Sequence, residues 1–277
     1  MLKTWLKISG LAKSSYYEWK EKLSKSNHKD EVLIQKISKI VEDSKGRYGY
    51  RRVTLALKNQ GLVINHKRVY RIMKSKGLLC RKFHHKSRKY SSYKGTVGKV
   101  AKNILNRNFD VRKPNKVWLT DVTEFKVSNK KLYLSTILDL YNSEIISFSL
   151  SSSPNISFTN DSLKKALERH REIDGLIIHS DQGFHYQHHS WVQVLKEHGI
   201  KQSMSRKGNC LDNSPMENFF GILKQELFYG RSFEGIDELR QEIESYIHWY
   251  NNHRIKSKLK GLSPVEYRKE SFNLIQA

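Results

Sequence analysis

Two cysteines, Cys80 and Cys210, are all that the 277 residues contain. Neither stands in a Cys-x-x-Cys pair, which argues against a disulfide scaffold or a zinc ribbon. Long apolar runs are also missing. No window approaches the ~18 uninterrupted apolar residues of a membrane span. The stretch "MLKTWLKISGLAKSSYY" lacks the apolar core of a signal peptide. Acid is scarce: 27 Asp and Glu stand against 51 Lys and Arg, a formal net charge of +24. A chain so charged repels itself unless a polyanion screens it, and nucleic acid is the commonest such partner. Together these absences predict a cytoplasmic, nucleoid-associated protein that binds DNA and no membrane.

What is present divides the chain into three stretches. Residues 1–80 have helical periodicity. "LKTWLKISGLAKSSYYEWKEK" predicts a helix, a turn at Gly10 and a second short helix, and "DEVLIQKISKIVEDS" repeats Val32, Leu33, Ile37, Ile40 and Val41 at helical spacing. In "YRRVTLALKNQGLVINHKRVYRIMKSKGL" one helix ends at Gly61. Asn65 caps the next, which turns Val69, Ile72 and Met73 inward and ends near Gly77. Two short helices around a tight turn suit a helix-turn-helix, with Arg51, Arg52, Lys67, Arg68 and Arg71 as candidate DNA contacts. A helical bundle with a solvated basic face is the alternative. Residues 81–114 predict a basic linker that orders on a phosphate backbone: positions 81–116 hold twelve Lys or Arg and one acid, Asp110.

From residue 115 to 277 the pattern is mixed α/β. "VWLTDVTEFKV", "KLYLSTILDLY" and "EIISFSLS" predict a three-strand meander with Asn129 in its first turn. "NDSLKKALERHR" is a helix, "LIIHSD" a buried strand, "SWVQVLKEHG" a helix and "IKQSMS" a strand. "SPMENFFGILKQEL" is a helix with Pro215 in its first turn, and "IDELRQEIESYIHWYNNHR" is a last long helix.

Three acids stand out in this region. Asp121 lies in the first strand, Asp181 ends the fourth, and Glu217 begins the later helix, with 35 residues between the last two. An Asp on a β-rich strand is costly to bury without a partner. Clustered carboxylates repel one another and keep raised pKa values unless a cation joins them. Hard divalent cations take oxygen ligands, and two of them ~4 Å apart serve in-line displacement at phosphorus. Met216, Phe219, Phe220, Leu223 and Leu227 form an apolar stripe that docks the helix on the sheet and carries Glu217 toward the strand ends. Lys224 lies seven residues on, almost on the same face, and can reach a phosphate, as can Arg206 and Lys207 in the preceding loop. Asp212 and Asn213 are expected to cap the helix. Asp139 and Glu124 are expected bystanders, Glu124 on the opposite sheet face from Asp121.

"WLTDVTEF", "IIHSDQGFHY" and "SMSRKGNCLDNSPMENFFGILKQEL" resemble the DDE transposases of the IS-three type insertion sequences, the OrfB half of a split reading frame, related to retroviral integrases in the RNase H-like superfamily. The likeness covers nearly the whole chain. "GRYGYRRVTLALKNQGLVINHKRVYRIMK" is similar to the family's helix-turn-helix and "YNNHRIKSKLKGLSPVEY" to its C-terminal end. Phe184 and His185 after "DQG" depart from the commonest pattern. The resemblance implies an RNase H-like mixed sheet behind an all-α region. It implies that Asp121, Asp181 and Glu217 bind two magnesium ions, with manganese as a substitute, and that Lys224 contacts DNA. It implies cleavage at an element end, then attack of the freed 3′-hydroxyl on target DNA, by a homo-oligomer working with the upstream-frame OrfA product or as an OrfAB fusion. Two other readings compete: an inert DNA-binding regulator of the same ancestry, and a metal protein using His179, His185, His188 and His189, whose spacing lacks the i, i+4 pair of zinc proteases.

Overall fold

The computed structural model describes residues 2–25, 28–83 and 99–276. Positions 84–98 of the expected linker therefore lie outside the described residues. The chain forms two compact units, residues 1–81 and 82–277. No helix among the described residues is long and apolar enough to cross a membrane.

The first unit is helical: α1 (Leu2–Ser9), α2 (Lys13–Lys25), α3 (His28–Asp43), α4 (Tyr50–Asn59) and α5 (His66–Ser75). Leu33, Ile37 and Ile40 of α3, Val53 and Leu57 of α4, and Val69, Ile72 and Met73 of α5 are buried, while Val32 is exposed and Val41 half-buried. The i, i+4, i+7 positions of α3 make its inward face, and Val32 and Val41 flank it. The α4–α5 turn follows local rules. Gly61 takes φ +81°, where a side chain would be strained, and the Asn65 side chain accepts from the Lys67 N–H at 2.9 Å.

The second unit is a five-stranded sheet in the order β3-β2-β1-β4-β5. Strands β1 (Val117–Val127), β2 (Lys130–Asp139) and β3 (Glu144–Ser151) form the antiparallel meander. Helix α6 (Ile156–Arg169) crosses over, so β4 (Ile177–Ser180) runs parallel to β1. After α7 (Phe184–Gln187) and α8 (His189–Glu197), β5 (Lys201–Met204) lies parallel to β4. A single 3₁₀ turn (Cys210–Asn213) leads into α9 (Ser214–Leu223), and α10 (Ile236–Asn252) and α11 (Pro264–Gln276) follow.

Strand alternation builds two cores. Leu119, Phe125, Leu132 and Leu134 face Met216, Phe219 and Leu223 of α9 and Ile243 and Tyr246 of α10. Trp118, Ile137 and Ile178 face the opposite way, toward Leu163 of α6 and Trp191 of α8. The sheet is thus sandwiched between helices.

Four details differ from the sequence reading. Helix α9 stops at Leu223 and continues as a π turn, Lys224–Phe228, closed by the Tyr229 N–H on the Lys224 carbonyl at 2.7 Å. The last helix is α11, not α10. Strand β4 ends at Ser180, so Asp181 lies one residue past it. Asp139 is no bystander: its carboxylate is wholly buried and pairs with Arg268 of α11 at 2.7 Å.

Candidate active site

Strand register brings the first two acids together. Leu119 of β1 pairs with His179 of β4 in parallel register. Two residues further along each strand direction stand Asp121 and Asp181. Period-2 alternation turns Asp121 to the face of β1 that Leu119 shares, and Asp181, one residue past the end of β4, lies close enough to repel it. Each uses one oxygen on the backbone: Asp121 Oδ1 accepts from the Val122 N–H at 2.7 Å, and Asp181 Oδ1 from the Gly183 N–H at 2.8 Å. Those bonds fix the carboxylates and leave each Oδ2 for another partner. A Cβ at Gly183 would stand 2.9 Å from Asp181 Oδ1, so a side chain there would have to displace that carboxylate.

Helix α9 delivers the third acid to the same face. Its start is tied to β1, where Asn213 Nδ2 donates to the Thr120 carbonyl at 3.3 Å. Thr136, opposite Asp121 across the β1–β2 pair, donates to Met216 Sδ at 3.3 Å. Glu217 is the next residue, half-buried beside this docking point. Lys224 opens the π turn with Nζ 5.3 Å from the Phe125 ring centre.

The electrostatics carry the mark of carboxylates crowded in low dielectric. Burial pushes Asp121 well above the usual carboxylate range, with repulsion from Asp181 and Glu217 adding to it and Lys224 opposing. Burial raises Asp181 too, against the Gly183 N–H and nearby His185, and burial raises Glu217. Among the described residues no three His, Cys, Asp or Glu side chains already close around one point. What the site offers a hard cation is its donor set: two fixed, mutually repelling carboxylates with open oxygens, and a third at a helix start within electrostatic reach.

The loop before α9 is held differently from expectation. Asp212 is not a cap. Its carboxylate is wholly buried and accepts from the Arg206 backbone N–H at 3.0 Å, Arg206 Nε at 2.9 Å, Arg107 Nε at 2.7 Å and Asn103 Nδ2 at 3.1 Å. Hydrogen bonds from Arg206 first, then those from Arg107, hold it well below the usual carboxylate range despite burial. Asn213 spends its side chain on β1 rather than on a cap. The Arg206 guanidinium, expected on phosphate, is engaged by Asp212, whereas Lys207 stands exposed in the loop.

The four histidines form no group that could hold a metal ion among the described residues. His179 is wholly buried between Ser203 Oγ at 2.9 Å and Ser205 Oγ at 3.0 Å, and burial pushes it down to about 4. His185 bonds the Pro154 carbonyl, and His188 caps α8 through Ser190. His189 opens that helix. In the first unit, Arg51 and Lys67 are exposed, Arg52 lies against the Tyr48 ring, and Arg68 and Arg71 both approach Asp30.

Residues 111–210 and 217–272 match two family models described as integrase core domain, and residues 28–87 match an HTH-like domain. The chain is 46% identical over 96% of its length, and 93% of the relative's, to the putative transposase InsK for insertion sequence element IS150 of Escherichia coli. It is 36% identical over 89% of its length, and 97% of the relative's, to the transposase for insertion sequence element IS904 of Lactococcus lactis. Among solved structures, the HTLV-2 integrase catalytic core domain in complex with magnesium matches 56% of this chain and 97% of its own at 19% identity, with a TM-score of 0.44. On its close sequence relatives and its integrase-core and HTH-like matches, the chain belongs to the insertion-sequence transposases built on an integrase core.

Proposed function

We propose that this protein cuts DNA at the ends of an insertion sequence and joins the freed 3′-hydroxyl to a second phosphodiester, with Asp121, Asp181 and Glu217 as its catalytic carboxylates. The observation that supports the reading is the shared register of β1 and β4, which brings two half-buried carboxylates near each other, Asp181 repelling Asp121, next to the start of α9. Held by these three residues, divalent magnesium, with manganese as a substitute, would supply charge neutralisation at phosphorus and activation of the attacking oxygen.

The remaining chemistry belongs to the chain. The backbone N–H groups of Val122 and Gly183 hold one oxygen each of Asp121 and Asp181 and leave each Oδ2 for a cation. The fixed end of α9 brings in Glu217, and Lys224 adds positive charge where phosphate oxygens would gather. In cleavage, a water oxygen bonds phosphorus as the P–O3′ bond breaks. In joining, the 3′-oxygen bonds the target phosphorus, its proton leaves to solvent, and the target strand's own 3′-oxygen departs. No side chain forms a covalent bond to DNA, so no Ser or Tyr nucleophile is needed.

The exposed Arg51 at the start of α4 and Lys67 at the start of α5 fit phosphate contacts of the helix-turn-helix, and the charge of +24 fits a DNA partner. The family resemblance also implies more than one copy of the chain, working with the upstream-frame product or as a fusion with it. The test is joining of duplexes that carry the inverted repeats flanking the gene, with either a 3′-hydroxyl or a 2′,3′-dideoxy end. Joined product is expected only from the hydroxyl end. Equal joining from both ends, or a DNA–protein adduct stable to denaturation, overturns the mechanism.

A further inference from the structure

A cavity of about 750 Å³ opens in the catalytic unit on the flank of α9 beside the one that carries Glu217. Helical spacing sets Ser214, Asn218 and Ile222 on one stripe, and all three line the cavity. Glu217 and Lys224 belong to the adjoining stripe. Leu140, Phe219 and Leu259 give the cavity an apolar floor. One wall is aromatic, with the rings of Tyr141 and Tyr267 5.5 Å apart, and Tyr250 lies deeper. Three cations line it as well: Arg112, Lys256 and Lys258. Lys256 Nζ sits 2.9 Å from the Tyr250 hydroxyl. The one carboxylate of the lining, Asp110, is exposed and 3.9 Å from Arg112.

Cations at the edge, aromatic faces within and an apolar floor match the parts of a nucleotide: phosphate, base and sugar. The volume falls in the ~300–1,000 Å³ range of small-ligand sites, which admits one or two nucleotides and no duplex. Stacking on a tyrosine also requires a base with a free face, which a paired and stacked base lacks. By helical spacing, Ser214 and Asn218, both polar, lie between the stripe that carries Glu217 and the rest of the cavity lining on α9.

We propose that this cavity seats unpaired nucleotides flanking the phosphodiester that is cut or joined. The proposal rests on the DNA reading of the carboxylate site. It adds a second binding site, and with it a preference for DNA ends whose strands are separated.

The full chain carrying Glu217→Gln, so that DNA stays whole, is titrated with a blunt duplex and with the same duplex bearing a short single-stranded extension of either polarity. The first unpaired base is 2-aminopurine. One polarity is expected to bind about tenfold tighter than the blunt end, with quenched aminopurine emission. Tyr141→Ala and Lys258→Glu should each remove that gain and the quenching while leaving the blunt duplex bound as before. Tyr141→Phe, which keeps the ring, should retain both, and melting temperatures check that every variant is folded. No gain from either extension, or equal losses on blunt and extended DNA, overturns the proposal. So does displacement of the extension by an acidic peptide as readily as by single-stranded DNA, which would make the cavity a protein-docking site. Because the readout is binding, the two readings fail separately. Loss of metal-dependent cleavage with the extension still seated counts against the chemistry alone, and cleavage by a parent protein that ignores the extension sinks the cavity.

Discussion

Arg254 and Glu226 form an ion pair that solvent does not reach: Nη2 lies 2.6 Å from Oε1, and the two side chains are 1% and 0% exposed. The Tyr246 hydroxyl donates to Glu226 Oε2 at 2.8 Å. Glu226 sits in the π turn two residues after Lys224, so the pair anchors the backbone that presents Lys224 to the site. Removing one partner leaves an uncompensated buried charge. Arg254→Met should destabilise the protein by about 3–5 kcal/mol. Replacing both residues by Met should cost less than either single change, as a double-mutant cycle in urea will read out. Additive costs would mean that the two charges do not stabilise each other.

Asp212 gives the protein an acid sensitivity of known sign. Its native pKa is depressed by Arg206 and Arg107, so the unfolded chain, with an ordinary value near ~3.9, binds the proton first. The stability it contributes is present above about pH 4 and fades as pH falls toward the depressed native value. Asp212→Asn should lower stability at pH 7 by about 2 kcal/mol, the scale of a charged hydrogen bond. The gap to the parent protein should narrow by pH 3. A gap that widens in acid contradicts the assignment.

At the carboxylate site the sign is reversed. Asp121 is raised by burial and by repulsion from Asp181, and Asp181 by burial, so their ionised forms strain the cation-free fold. Asp121→Asn should raise the melting temperature at pH 7 without divalent ions. The parent protein should gain about 2.7 kcal/mol from magnesium or manganese at a hundred times its Kd, and the variant should gain almost none. A variant that matched the parent's metal response would remove Asp121 from the ligand set.

Gly183 offers a narrower probe. Its backbone is at φ −58° and ψ 146°, which alanine adopts freely, so strain plays no part. The added methyl would meet Asp181 Oδ1 at 2.9 Å. Gly183→Ala should keep the fold and reduce metal-dependent cleavage ten- to a hundredfold, the usual cost of disturbing a residue that orients a ligand. Unchanged activity would mean that Asp181 tolerates displacement.

Much of this was legible where the rule is local. Asn65 and Gly61 announce the α4–α5 turn, and alternation in "WLTDVTEF" gives Asp121 its face. Helix α11 also has a local signal in the sequence: Ser263 and Glu266 form a capping box, with the Ser263 N–H 2.8 Å from Glu266 Oε2. The π turn was not legible, because Phe220, Leu223 and Leu227 keep an ordinary helical spacing through it. Asp212 looked like a cap because it precedes a helix start. Its partner Arg107 is 105 residues away, and no periodicity reports a contact of that range. For the same reason Asp139 hid its pairing with Arg268, 129 residues distant.

The measurement that tests the central claim most directly is cleavage of oligonucleotides bearing the element's ends, in magnesium and in manganese, by the parent protein and by Glu217→Gln. The substitution keeps the size of the side chain and removes its charge at the start of α9. Cleavage by the parent that depends on the metal and disappears in the variant is the predicted result. Equal cleavage by both proteins would contradict the assignment of Asp121, Asp181 and Glu217 as one catalytic set.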